Sequence, residues 1–139
     1  TSANSINIAR LIPQSFYYFW AFAQLQKLKK PIVFSVPSGN FGNLTAGLFA
    51  KKMGLPIHHF VASTNENDVV PKFLETGNYE SKPSKQTISN AMDVGNPSNF
   101  ERMKSLFNND VSEFKKEKEI KSNFNVFCNP THTKFSLKM

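Results

Sequence analysis

Residues 37–43, Pro-Ser-Gly-Asn-Phe-Gly-Asn, follow an apolar run and precede a helical pattern, and their types suit the binding of an anion. Gly39 and Gly42 leave the main chain bare for close approach, and the first N–H groups of the next helix have no partner inside it. The helix dipole adds partial positive charge at that end, while Ser38, Asn40 and Asn43 add neutral hydrogen-bonding groups without bulk. A phosphate meets these requirements. The spacing differs from the common nucleotide loops: no Gly-Lys-Ser/Thr closes it, as a P-loop requires, and G-x-G-x-x-G is absent. The letters GNFG match the GXXG of a KH domain, but that loop joins two helices, whereas an apolar strand pattern comes before it here. A tight strand-to-helix turn that binds nothing would use the same glycines.

The elements that must position this loop follow from local pattern. Residues 31–36, Pro-Ile-Val-Phe-Ser-Val, form a short β-branched run bounded by breakers, as expected of a strand buried on both faces. After the turn, Leu44, Leu48, Ala50 and Met53 keep helical spacing until Gly54 and Pro56 stop it. Residues 57–63 are the next strand. The stretch 64–77 opens with cap formers and closes on Gly77, a short helix carrying Pro71; Asn65, Asn67 and Asp68 are read as its caps. Upstream, Asn7 is placed to cap a helix running to about Leu28, whose aromatic density implies deep burial, with Tyr17 and Tyr18 reaching polar partners and Pro13 tolerated near its start. Residues 78–86 form a polar loop. A further helix begins near Ser98, with Phe100, Met103, Leu106, Phe107, Val111 and Phe114 as its apolar stripe. Strand, helix, strand, helix at this spacing indicates an α/β unit with parallel strands and a right-handed crossover.

Composition narrows the classes of function. With 139 residues, 40% hydrophobic and 13% aromatic, the chain is long enough for one core. The net charge of +7 invites a nucleic-acid reading, yet only Arg10 and Arg102 supply the guanidinium forks that recognition favours, and the lysine pairs read as solvated helix ends, so no nucleic acid is expected. The longest apolar run, residues 16–23, falls far short of the roughly 18 residues of a spanning helix, so no membrane partner is expected. One cysteine, Cys128, fits a reducing, cytoplasmic setting. His58, His59 and His132 have no ligand-like spacing with Cys128 or with carboxylates, and no metal is assigned.

Four segments in one order then carry a resemblance. Residues 36–56, VPSGNFGNLTAGLFAKKMGLP, closely resemble the cofactor-phosphate segment of the threonine synthase family. Residues 4–25 resemble that family's Asn-Ser-Ile-Asn segment and the aromatic helix after it. Residues 62–77, ASTNENDVVPKFLETG, and 87–103, TISNAMDVGNPSNFERM, resemble its following motifs, so the likeness covers roughly residues 4–107. It implies an α/β fold that is part of a three-layer, open parallel-sheet domain of the fold-type II pyridoxal-phosphate enzymes. Residues 1–110 would belong to the large cofactor-binding domain, with the phosphate loop at 37–43, and residues 111–139 would be a divergent or truncated tail. It further implies pyridoxal 5'-phosphate as cofactor and a small-molecule substrate, O-phospho-L-homoserine, converted with water to L-threonine and phosphate. Gly39, Asn40, Phe41, Gly42 and Asn43 would form the cup for the cofactor phosphate. Asn4, Ser5, Asn7 and Arg10 would lie near the substrate, with Ser5, Asn7 and Arg10 as contacts for its phosphate or carboxylate, although a helix cap and a surface cation describe them equally well. Asp93 would position a loop near the cofactor or simply form a turn.

The Schiff-base lysine of the resembled family lies upstream of the Asn-Ser-Ile-Asn segment, in a motif ending Phe-Lys-Asp, and is expected before Thr1. No lysine in this sequence has that context, so no catalytic residue is assigned and the 139 residues alone are expected to be inactive. Two alternatives remain at this point: another enzyme of the same fold type, such as a dehydratase or a cysteine synthase, and a non-catalytic paralogue that binds phosphate ligands.

Overall fold

The computed structural model describes residues 7–108 and the strand Phe124–Cys128. Asn7, Ser38 to Asn43 and Arg10 lie within it; Ser5 and Asn4 lie outside the described residues, as do Val111 and Phe114 of the expected apolar stripe.

Asn7 accepts a hydrogen bond from the Ala9 N–H at 2.9 Å and so caps a single 3-10 turn, Ile8–Arg10, that leads into α1, Leu11–Leu25. Pro13 is the third residue of α1, where no N–H partner is required, and the helix continues through it. The strand β1 is Val33–Pro37, and α2, Gly42–Lys52, follows it across the glycine loop. Lys51 and Lys52 in the last turn of α2 face its negative dipole end, and Gly54, at φ 101°, turns the chain away. Next come β2, His59–Thr64, and α3, Val69–Thr76, which ends in a left-handed Gly77 whose N–H returns to the Phe73 carbonyl. The segment 78–99 is irregular apart from one 3-10 turn, Asn90–Met92; α4, Phe100–Leu106, and β3, Phe124–Cys128, complete the described elements.

The three strands form one parallel sheet in the order β1-β2-β3. Phe34 pairs with Phe60 and Val36 with Ala62, and Phe60 pairs in turn with Phe124 and Ala62 with Val126. Since alternate residues of a strand share a face, Phe34, Val36, Phe60, Ala62 and Thr64 form one surface. The core lies there, with Leu44, Phe60, Phe100 and Met103 fully enclosed. Because the strands are parallel, their carboxyl ends meet at one edge, where Ser38 N–H bonds the Ser63 carbonyl at 2.8 Å and sets the loop after β1 beside the loop after β2. No described helix is long and apolar enough to cross a membrane.

Three expectations are corrected. Burial of β1 on both faces is not met: Phe34 and Val36 face the core, but Val33, Ser35 and Pro37 are exposed, because the described helices that cover β1 do so on one side. The aromatic face of α1 is not deeply buried as a whole either. Leu11, Ser15 and Tyr18 are enclosed, while Phe16 is 59% and Trp20 70% exposed, with Ile12 and Tyr17 also open. The stripe that meets α2 and the sheet is narrower than the apolar sector of α1, and apolar content alone does not reveal which part of a helix has a partner. Last, Asn65 and Asn67 do not cap α3. Asp68 occupies the cap position without a capping bond and pairs with Lys72 at 2.8 Å, while the two asparagines turn toward residues 85–93.

Local pattern beyond α4 predicts no strand, yet Phe124–Cys128 extends the sheet.

Candidate functional site: an uncapped helix start at the sheet's carboxyl edge

The loop between β1 and α2 takes its shape from Phe41, which adopts a left-handed conformation at φ 59° and stands at the cap position of α2. A bulky residue there costs about 1–2 kcal/mol, offset here by burial of the ring, which is 3% exposed. The Phe41 carbonyl accepts from both the N–H and the hydroxyl of Thr45, at 2.9 and 2.7 Å, which closes the first turn. Phe41 offers no side-chain acceptor, so the N–H groups of Gly42, Asn43 and Leu44 have no hydrogen-bond acceptor among the described residues.

Distant segments hold the loop. A Cβ on Gly39 would lie 2.6 Å from Met92 Cα and 3.0 Å from Met92 O, so the 3-10 turn Asn90–Met92 lies directly against Gly39. The bare backbone at this glycine accommodates another stretch of the protein. The Asn40 carboxamide oxygen accepts from the Ser98 N–H at 2.7 Å, its Nδ2 lies 3.0 Å from the Ser98 hydroxyl, and the Asn40 carbonyl accepts from Asn99 Nδ2 at 3.1 Å. Arg102 donates in turn to Asn99 Oδ1 at 2.8 Å, which fixes the Asn99 amide. Asn99 Nδ2 would also lie 3.3 Å from a Gly42 Cβ. Ser38 is buried, with its hydroxyl bonded to the Val36 carbonyl. Asn43 is exposed, but its side-chain oxygen accepts from the Tyr18 hydroxyl at 2.6 Å.

The Leu11 side chain would lie 3.9 Å from a Gly42 Cβ, which brings the start of α1 to the start of α2, and exposed Arg10 immediately precedes Leu11. Asn7 serves as the cap of its own turn.

Asp93 organises the wall over Gly39. Its carboxylate accepts from the Thr87 hydroxyl and N–H, at 2.7 and 2.8 Å, and from Asn65 Nδ2 at 2.7 Å and Asn67 Nδ2 at 3.3 Å. The Thr87 hydroxyl, aided by the Thr87 N–H and the Asn65 amide, holds the Asp93 carboxyl below its ordinary pKa. A folded-state pKa lowered in this way contributes stability above the unfolded value of about 4, and that stability is lost as pH falls through the lowered one. The gap in melting temperature between the wild type and Asp93→Asn is therefore expected to be widest near neutral pH and to close on acidification. Parallel melting curves across that range measure it.

Met92, Ser98, Asn99 and Tyr18 contact the loop or the start of α2, and residue types and spacing did not identify them. The polar run Asn96-Pro97-Ser98-Asn99 before α4 was the available signal, but a turn explains it as readily. As a whole, the loop presents N–H donors and no carboxylate from its own residues 38–43. That donor set fits a phosphate monoester dianion.

This is also where relatives are found. A threonine synthase of Haemophilus influenzae is 62% identical over 107 residues, which are 76% of this chain and 25% of that protein. The chain is a threonine synthase homologue. It spans about a quarter of the length of the curated threonine synthases it matches. Among solved structures, the threonine synthase of Escherichia coli superimposes with a TM-score of 0.76 at 48% identity, covering 91% of this chain and 28% of that one. A structure described as PLP-bound threonine synthase from Brucella melitensis does so with a TM-score of 0.77 at 36% identity, covering 92% and 32%. No family model matches the chain. The parallel sheet and its helices are thus those of an α/β threonine synthase segment.

Proposed function

We propose that this chain forms the cofactor-phosphate portion of a threonine synthase, which converts O-phospho-L-homoserine and water to L-threonine and phosphate in a cytoplasmic setting. The observation that carries the reading is the uncapped start of α2, with the Gly42, Asn43 and Leu44 N–H groups unspent among the described residues, in a chain 62% identical to a threonine synthase. Gly39, Asn40, Phe41, Gly42 and Asn43 hold the phosphate of pyridoxal 5'-phosphate. The N–H groups bind it, Gly39 lets the 90–92 turn close the side of the cup, and Asn40 ties the loop to Ser98 so that the donors keep their direction. Bound there, the cofactor supplies an electron sink for proton removal from the substrate carbon skeleton. Arg10, with Ser5 and Asn7, contacts the substrate's phosphate or carboxylate, a role supported for Arg10 by its place beside Leu11, where the α1 and α2 starts meet. Residues 1–110 belong to the large cofactor-binding domain.

Lysines with defined contacts are engaged away from the loop: Lys52 lies over the Phe107 ring, Lys72 pairs with Asp68, Lys85 with Glu66, and Lys104 with Glu101. The 139 residues alone are expected to form no threonine, because no lysine in the sequence stands in the Phe-Lys-Asp context of the resembled family. The functional test is a chimaera in which residues 7–107 replace the matching segment of the Escherichia coli threonine synthase. It is expected to release phosphate and threonine from O-phospho-L-homoserine. A folded, cofactor-loaded chimaera without that activity would contradict the reading.

A further inference from the structure

The first turn of α2 is held from its far side by α1. Tyr18, 4% exposed, places its hydroxyl 2.6 Å from Asn43 Oδ1 and 3.0 Å from the Asn43 carbonyl. Its ring stands edge-on to Phe34 and Phe60, with centroids 4.9 and 5.8 Å away, so the hydroxyl cannot wander. Asn43 is the second residue of α2 and is exposed. Once its oxygen accepts from Tyr18, its NH2 is the polar group left, and that group has no acceptor among the described residues.

We propose that Tyr18 is a positioning residue for the phosphate cup: by engaging Asn43 Oδ1 it fixes the Asn43 carboxamide with its NH2 as a further donor in the first turn of α2. The proposal rests on the reading of residues 38–43 as that cup. An asparagine free to turn would present its oxygen to an anion as readily as its nitrogen, at a repulsive cost. With Asn43 Oδ1 held by the Tyr18 hydroxyl at 2.6 Å, the NH2 is the half of the carboxamide turned away from α1. Burial also pushes the phenol well above its ordinary pKa, so the group remains a proton donor throughout the neutral range.

The test titrates the nitrogen-15-labelled chain with 4'-deoxypyridoxine 5'-phosphate, which carries the phosphate but no aldehyde to react with surface lysines. The wild type is expected to shift the backbone amides of Gly42, Asn43 and Leu44 and the Asn43 NH2 pair. Tyr18→Phe, which keeps the ring contacts, is expected to weaken binding about tenfold, as for loss of one hydrogen bond to a charged group. Asn43→Ala, at an exposed position, is expected to weaken it by a similar factor, and the double variant no further. Inorganic phosphate as a second probe should reproduce the order of affinities. Equal affinity of the wild type and Tyr18→Phe overturns the role of Tyr18 and leaves the cup intact. Additive losses in the double variant also overturn it, because Tyr18 would then act independently of Asn43. Absence of any shift at the start of α2 in the wild type overturns the cup itself and the proposal with it.

Discussion

Gly47→Ala is expected to destabilise the chain by about 2 kcal/mol, although it places the best helix former in the middle of a helix. A Cβ at Gly47 would lie 2.7 Å from Phe60 Cε1, 2.7 Å from Tyr18 Cζ and 2.9 Å from Phe60 Cζ. Neither ring has room to yield. Phe60 is fully buried in β2 and Tyr18 nearly so, they pack edge to face, and the Tyr18 hydroxyl is tethered to Asn43. Helix propensity returns about 1 kcal/mol, but relieving contacts of this kind by moving α2 off the sheet costs about 3 kcal/mol. Denaturant unfolding of the wild type and the variant measures the difference. Phe60→Leu added to Gly47→Ala should recover part of the loss, since it withdraws two of the three crowded atoms. An alanine variant as stable as the wild type would show that α2 does not sit as close to the sheet as this geometry requires.

Gly39→Ala is expected to cost less stability and more binding. Here the obstructing atoms are Met92 Cα, O and C, at 2.6, 3.0 and 3.1 Å, all main chain. A methyl group must therefore displace the whole 90–92 turn, which Asp93 anchors through Thr87, Asn65 and Asn67. The strain spreads to the Asn40–Ser98 bonds that orient the loop, and affinity for a phosphate monoester is expected to fall by at least about tenfold. Met92→Ala should not rescue it, because the contact is not with the Met92 side chain. Isothermal titration of wild type, Gly39→Ala and the double variant with a pyridoxal-phosphate analogue separates these outcomes. Rescue by Met92→Ala would mean that the side chain, and not the backbone, fills the space beside Gly39.

Both predictions concern glycines whose place in loop and helix was legible from local pattern but whose neighbours were not. Breakers, apolar periodicity and caps act over a few residues. The sequence by itself therefore determined the parallel α/β order, the loop between β1 and α2, the Asn7 cap and the Gly77 stop, with strand ends displaced by one or two residues from where the patterns placed them. The threonine synthase relationship was legible too, because it rests on the order of motifs. Tertiary structure alone decided that Met92 lies on Gly39, that Asn40 is tied to Ser98, that Asn65 reaches Asp93 rather than capping α3, and that Tyr18 and not Trp20 is the buried aromatic of α1. The physical reason is that a glycine is equally bare against a ligand or a backbone, and an asparagine amide satisfies a cap, a turn or a distant loop with the same two groups. Which one it meets depends on where the long segment between α3 and α4 crosses the carboxyl edge of the sheet, and no local spacing records that crossing.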